Sequence, residues 1–222
     1  GRFLRGDLVG ALTARFLDAD AIVTPVTSNS ALDRPGLFPK VCRTRVGSPY
    51  VIAGMAEAAV GGATRVVGFE ANGGVLLGSD VERGGRRLAA LPTRDAVLPI
   101  LAVLNAVAEA GAPLSRLAAE RHFAIALSDR LQEVPQEKTA ALITRLDADE
   151  PAFRDAAFAA HGGVAARDRR DGLRLTLGDG STVHFRASGN APELRVYVEA
   201  MDEAAADSLI AEGLEFASQA TR

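Results

Sequence analysis

Residues 41–70 read VCRTRVGSPYVIAGMAEAAVGGATRVVGFE, and this stretch decides the fold of the first half. Val41 to Val46 alternates apolar and polar residues, the period of a strand. Gly47-Ser48-Pro49 then has the form of a helix start, with serine at the cap and proline in the first turn. The helix is expected from about Pro49 to Val60 and ends at Gly61-Gly62. Arg65 to Glu70 is a further strand, broken by Ala71-Asn72-Gly73-Gly74. Upstream, Asp7 caps a helix carrying Leu8, Leu12 and Phe16, and Ala21 to Val26 is a short buried strand. Downstream, a glycine-rich excursion fills roughly 73–87, and Thr93 caps a long helix over about Arg94 to Ala110. That helix is apolar at Val97, Leu98, Leu101, Leu104 and Val107. Strands separated by helices predict a three-layer α/β/α domain over 1–112. In such sheets ligands sit beyond the carboxyl ends of the strands, so the loop after strand 65–70 is a candidate site.

The pattern changes after Gly111-Ala112-Pro113, and the domain boundary is placed there. A short helix bridges Leu114 to Glu120, a strand follows over Ala124 to Val134, and a helix starts at Pro135. A second helical stretch covers Ala152 to Ala160. Short strands are expected at Val164–Asp168, Leu173–Leu177 and Thr182–Phe185, with hairpin signals at Asp171-Gly172 and Asp179-Gly180. Leu194 to Ala200 is an alternating strand, and Asp202 caps a last helix. This predicts a smaller α+β domain over 113–222, with an antiparallel sheet, helices on one face and a TBP-like arrangement.

Composition narrows the function classes. Hydrophobic residues are 48% and charged residues 24% of 222, which excludes wholesale disorder. The net charge of −3 and the absence of a like-charge block argue against nucleic acid and membrane surfaces as partners. The lone Cys42 excludes an internal disulfide and a thiolate metal cluster. Without an apolar run of membrane-spanning length, a soluble cytoplasmic protein is expected. The only methionines are Met55 and Met201, so Gly1 is not a translation start; a cleaved leader or a piece of a longer protein is expected. With 23 arginines against Lys40 and Lys138, anion binding falls to arginine forks.

The most informative segment is Arg186-Ala187-Ser188-Gly189-Asn190-Ala191-Pro192-Glu193-Leu194-Arg195. Arg186 offers a planar fork, Ser188 a hydroxyl and Asn190 an amide NH2. Gly189 allows dihedrals that turn backbone N–H groups inward as a nest. From the residues alone the segment reads either as an anion loop or as a surface turn. Gly68-Phe69-Glu70-Ala71-Asn72-Gly73-Gly74 puts a carboxylate two residues from a hydrogen-bonding side chain at a strand end. That pairing suits neighbouring sugar hydroxyls, and it equally suits a cap or an ion pair. Arg43 and Arg45 lie two apart on a strand, so one can face a ligand while the other supports it. His122, His161 and His184 match no metal-ligand spacing and read as structural, although His184 can share a strand face with Arg186.

The 186–200 segment resembles the phosphate-binding signature of the α-D-phosphohexomutases, the phosphomannomutase/phosphoglucomutase family, R-x-S-G/N-T-x-P followed by an R-x-Y-V-E-like strand. Asn190 stands in place of threonine and Ala191 in place of glutamate. Gly68 to Gly74 resembles the family's sugar-reading loop G-x-E-x-S-G-H, with Asn72 for serine and Gly74 for histidine. Thr44 to Tyr50 is similar to the T-x-V-G-x-x-Y segment, and Arg45 falls where the family often places an active-site basic residue. The resemblance runs in order along nearly the whole chain.

It implies that Arg186, Ser188, Gly189 and Asn190 bind the substrate phosphate that is not transferred, and that Glu70 and Asn72 read the sugar. It implies an intramolecular phosphotransferase that interconverts hexose 6-phosphate and hexose 1-phosphate through a glucose 1,6-bisphosphate-type intermediate, with Mg2+ in the parent enzyme. The family's phosphoserine and D-G-D-x-D-R metal loop belong to its first two domains, and neither is found in this sequence. The chain therefore resembles the third and fourth domains, with the N-terminal domains as missing partners, a hexose phosphate as ligand and no catalytic or metal residue of its own. The alternative is a free-standing, non-catalytic sugar-phosphate binding or regulatory module.

Overall fold

A computed structural model of the chain describes residues 3–148, 153 and 157–222. The chain divides into two compact units, 1–123 and 124–222. The division falls after Phe123, later than the glycine and proline at 111–113 suggest. The reason is packing: Leu114, Leu117, Ala118 and Phe123 cover Leu8, Leu12 and Val103 of the first unit.

The N-terminal unit runs α1 (Gly6–Phe16), β1 (Ala21–Pro25), a 3-10 turn (Ser30–Asp33), β2 (Lys40–Thr44), α2 (Ser48–Val60), β3 (Val66–Phe69), β4 (Val75–Leu77), β5 (Val81–Arg83), β6 (Arg86–Leu88), β7 (Leu91–Asp95), α3 (Val97–Ala110) and α4 (Leu114–Ala119). Its main sheet has the order β2-β1-β3-β4-β7, and β5 pairs only with β6. β1 is parallel to β2 and β3, while β4 runs antiparallel to β3 and β7. Alternate residues of β1 feed opposite faces. Ile22 joins Ala11, Ala14 and Leu17 on one side. Ala21 and Val23 join Val51, Met55 and Ala58 of α2 on the other. The three-layer expectation holds, with an antiparallel extension inside the glycine-rich excursion.

The helix starts differ from expectation. Gly47, not Ser48, is the N-cap of α2. Asp7 lies inside α1, whose N-cap is Arg5. Thr93 is in β7, and α3 begins after Asp95, whose Oδ1 accepts from the backbone N–H of Val97 at 2.7 Å and of Leu98 at 3.1 Å. Asp95→Ala is expected to lower the urea stability of this unit by about 1 kcal/mol, the usual worth of such a cap, with Tyr50 as the reporter. On α3, Pro99, Ala102 and Val103 are buried, whereas Val97, Ile100, Leu101 and Leu104 are each more than half exposed. The apolar stripe over 97–107 therefore turns mostly outward, because a helix that is apolar nearly all round does not say which face is inner.

The C-terminal unit runs β8 (Ile125–Gln132), α5 (Gln136–Asp147), a 3-10 turn (Ala159–His161), β9 (Val164–Asp168), β10 (Leu173–Leu177), β11 (Thr182–Ala187), β12 (Glu193–Ala200) and α6 (Glu203–Ala220). The helix expected over 152–160 falls largely outside the described residues. The sheet is antiparallel in the order β8-β12-β11-β10-β9. One face carries Leu173, Leu175, Val183, Phe185, Leu194, Val196 and Val198, packed against Leu142 and Leu146 of α5 and Leu209 of α6. By alternation, the opposite face carries Arg174, His184, Arg186, Arg195 and Tyr197. Asp202 caps α6 as expected, accepting from the N–H of Ala205 at 2.8 Å.

Candidate functional site

In the N-terminal unit, β1, β2 and β3 are parallel, so their carboxyl ends lie along one edge of the sheet. Glu70 directly follows β3 and is only 7% exposed. Its carboxylate accepts from the Ser48 hydroxyl at 2.8 Å, so Ser48 aims Glu70 instead of capping α2. The loop behind it is tight: the N–H of Gly73 donates to the Glu70 carbonyl at 3.0 Å, and that of Glu70 to the Gly74 carbonyl at 3.2 Å. Asn72 is exposed, and its Oδ1 accepts from the N–H of Gly74 at 3.1 Å. Its NH2 group remains available to a ligand.

The two arginines of the β2 region divide their work. Arg43 donates to the carbonyls of Pro25, Ser28 and Asn29 at 2.8–3.1 Å and pairs with Asp33 at 2.9 Å, which fixes the loop after β1. Arg45 lies beyond the strand, exposed, with its guanidinium 5.0 Å from the Tyr50 ring centroid. The amino end of α2, with its partial positive charge, adjoins this position in the chain.

In the C-terminal unit the β11–β12 connection is pinned at its base. The N–H of Ser188 donates to the Glu193 carbonyl at 2.9 Å, and that of Val134 to the Pro192 carbonyl at 2.9 Å. Ser188 is 3% exposed, and its Oγ accepts from the N–H of Asn190 at 3.4 Å, so it braces the turn. Gly189 and Asn190 are exposed. Gly189 has no left-handed φ, so the nest expected from it is absent; a Cβ there would meet nothing within 4 Å.

Arg186 is nearly buried, and its Nε donates to Asp171 Oδ2 at 2.8 Å. Among the described residues its terminal nitrogens make no hydrogen bond, so the carboxylate holds one edge of the fork and leaves the other for a ligand. Gly172 permits this pairing: it has φ 78°, and a Cβ there would meet the Phe185 carbonyl oxygen at 2.3 Å. The Asp171 carbonyl accepts from His184 Nε2 at 2.6 Å. Burial pushes the His184 pKa down to about 4, against the pull of the Asp171 carbonyl and with help from the Arg174 charge. The ring is therefore neutral, with its proton on Nε2 and the buried Nδ1 without a hydrogen-bond partner among the described residues.

Sequence reasoning did not single out Arg195 as a candidate. The strand register places it directly opposite Arg186, with Arg130 opposite it in turn. Burial weighs against its charge, but Tyr197 and Glu193 outweigh that and hold its pKa above the ordinary arginine value. Like charges facing each other across strands repel, and this row is held together by carboxylates: Glu193 pairs with Arg130 at 3.5 Å and with Arg195 at 3.4 Å, and Asp171 pairs with Arg186 at 2.8 Å. Only strand register shows this row; no motif signals it.

The family model for the phosphoglucomutase/phosphomannomutase α/β/α domain III matches residues 5–123, and that for the family's C-terminal domain matches 132–215. The chain belongs to the phosphoglucomutase/phosphomannomutase family. A phosphomannomutase of Sinorhizobium fredii is 52% identical over 214 residues, which is 96% of this chain and 45% of that protein. The chain thus spans between about a third and just under half the length of the curated relatives it matches. A phosphoglucomutase/phosphomannomutase family protein of Burkholderia thailandensis has the same fold, with a TM-score of 0.70 at 21% identity, over 100% of this chain and 43% of that one. N-acetylphosphoglucosamine mutase of Aspergillus fumigatus, in complex with GlcNAc-6P and magnesium, matches with a TM-score of 0.60 at 17% identity, over 100% of this chain and 45% of that one. In this family member, no group of three His, Cys, Asp or Glu among the described residues is placed to hold a metal ion. No helix among them is long and apolar enough to cross a membrane.

Proposed function

We propose that this chain is the substrate-recognition half of a phosphohexomutase that interconverts hexose 6-phosphate and hexose 1-phosphate through a 1,6-bisphosphate. The observation that carries the reading is Arg186: a guanidinium aimed by Asp171 through Nε, with its terminal nitrogens open, beside the exposed Gly189-Asn190 turn. Such a fork meets phosphate bidentately. In this reading Arg186, the Asn190 amide and the backbone at Gly189 hold the phosphate that stays in place, and Ser188 shapes the turn. Glu70 accepts from two sugar hydroxyls, Asn72 donates to a third group, and Arg45 offsets phosphate charge at the sugar-reading unit.

The magnesium of the Aspergillus enzyme belongs to that protein, and the donor set described above does not suit a cation. The recognition steps proposed here therefore run through no metal. The nucleophile and metal loop are assigned to other domains of a parent enzyme acting in the cytoplasm, which leaves the isolated chain without turnover.

The test is an NMR titration of the chain with mannose 6-phosphate, glucose 1,6-bisphosphate and inorganic phosphate. Saturable shifts at 186–190 with all three, and at 68–74 with the sugars only, are expected. Shifts no different from those of inorganic phosphate would sink the reading. Glu70→Gln keeps a partner for Ser48 but lowers acceptor strength. It is expected to weaken the sugar phosphates about tenfold, the worth of one charge-assisted bond, and to leave inorganic phosphate binding unchanged.

A further inference from the structure

We propose that Gly6 and Asp7, in the first turn of α1, are positioning residues for the Glu70 loop; this deepens the reading of that loop as the sugar reader. The N–H of Gly6 donates to the Ala71 carbonyl at 3.1 Å. A Cβ on Gly6 would lie 2.0 Å from the Gly73 nitrogen and 2.7 Å from the Ala71 carbonyl oxygen. The start of the helix is thus seated flush on the backbone of the loop, and only glycine leaves room for it.

Asp7 carries the second contact. It is fully buried, and its Oδ2 accepts from the N–H of Asn29 at 3.0 Å while Oδ1 accepts from Leu8 at 3.0 Å. Asn29 in turn caps the 3-10 turn through Ala31 at 3.1 Å and receives Arg43 on its carbonyl at 2.8 Å. The Thr24 hydroxyl lies 2.6 Å from the Ser28 hydroxyl and 2.8 Å from the Phe69 carbonyl, next to Glu70. One helical turn therefore ties the loop after β1 to the loop after β3. A buried carboxylate is costly unless its oxygens are satisfied; here the Arg5 guanidinium pairs with Oδ2 at 3.4 Å, and the N–H groups of Leu8 in α1 and of Asn29 in the loop after β1 supply the rest, so the contact with the loop is the one at Asn29. The loops at the sheet edge take their spacing from α1, and displacing its first turn moves both.

The test compares Asp7→Ala, Asp7→Asn and Gly6→Ala with the unaltered chain, without ligand and then with mannose 6-phosphate and inorganic phosphate. Without ligand, Asp7→Ala is expected to shift the amide resonances of Glu70 to Gly74 as well as those of 28–31, while core amides such as Val23 and Val67 stay in place. Asp7→Asn, which keeps one acceptor oxygen, is expected to restore most of the difference. With ligand, Asp7→Ala and Gly6→Ala should cut the preference for mannose 6-phosphate over inorganic phosphate about tenfold, with unchanged shifts at 186–190. Shifts in Asp7→Ala confined to 6–8 and 28–31 would overturn the proposal, even if Gly6→Ala fails to fold. Because the ligand-free resonances decide it, a chain that binds no sugar phosphate would refute the functional reading and leave this result standing or falling separately.

Discussion

Arg186→Gln is expected to weaken mannose 6-phosphate binding by about a hundredfold or more. Each charge-assisted hydrogen bond to phosphate contributes about 1.5–3 kcal/mol, and a bidentate fork makes two. At 1.4 kcal/mol per factor of ten, two such bonds reach about a hundredfold. Glutamine also removes the guanidinium that donates to Asp171, a nearly buried carboxylate, so the variant tests the aim of the site and its charge together. Arg186→Lys separates the two. It keeps the charge but loses the planar fork that meets Asp171 and phosphate at once, and an intermediate loss of about tenfold is expected. Both follow from the same NMR titration, with Tyr197 fluorescence in urea, in a Tyr50→Phe background, checking that the unit still folds. Undiminished binding by Arg186→Gln would move the phosphate contact to Arg195, its partner across the strands.

Much of the C-terminal unit was legible because its cues are local. Alternation over 173–177 and 194–200, and the glycines at 172 and 180, place strands and hairpins almost where the structure has them. The N-terminal unit gave its parallel strands and α2 by the same logic. It hid β4 to β7, since three-residue strands show no period and β7 contains Pro92 on an exposed edge. Ser48 looked like a cap because serine and proline favour helix starts; the nearby carboxylate of Glu70 offered its hydroxyl a different partner. In the candidate site, Glu70 and Arg186 were legible as motif residues, each with an ordinary structural alternative. What aims them was not. Asp171 reaches Arg186 across a hairpin, Arg195 faces it through register, and Asp7 reaches Asn29 over 22 positions of sequence. Such pairings belong to topology, and a single sequence contains no period or spacing that encodes them.

Acid is expected to destabilise the C-terminal unit by about 3 kcal/mol between pH 6.5 and pH 4, through His184 alone. The ring titrates near 6.5 in the unfolded chain and at about 4 in the fold. Within that window the unfolded state binds a proton that the folded state refuses, so stability falls as pH falls. Above the window both states are neutral, and below it both are charged, so the dependence flattens at each end. The cause is burial, reinforced by the Arg174 and Arg186 charges, and opposed by the Asp171 carbonyl. His161 works in the other direction. Burial lowers its pKa, but hydrogen bonds to Asp179 at 2.8 Å and Glu212 at 3.0 Å outweigh it and raise the value. Its contribution is therefore full below the unfolded value and fades as pH rises through the folded one, and exposure of its partners keeps it small. The check is urea unfolding at several pH values in a Tyr50→Phe background. There Tyr197, whose ring lies 5.4 Å from that of His184, is the sole tyrosine and the chain has no tryptophan. His184→Gln retains a donor for the Asp171 carbonyl and does not titrate, so it should flatten the window. A window that persists in that variant would assign the acid response to the carboxylates. The same window leaves the folded site unchanged: there the folded ring stays neutral and keeps donating from Nε2 to the Asp171 carbonyl at 2.6 Å, so the Asp171 carboxylate keeps its aim on Arg186 and the folded chain should lose no phosphate affinity through His184.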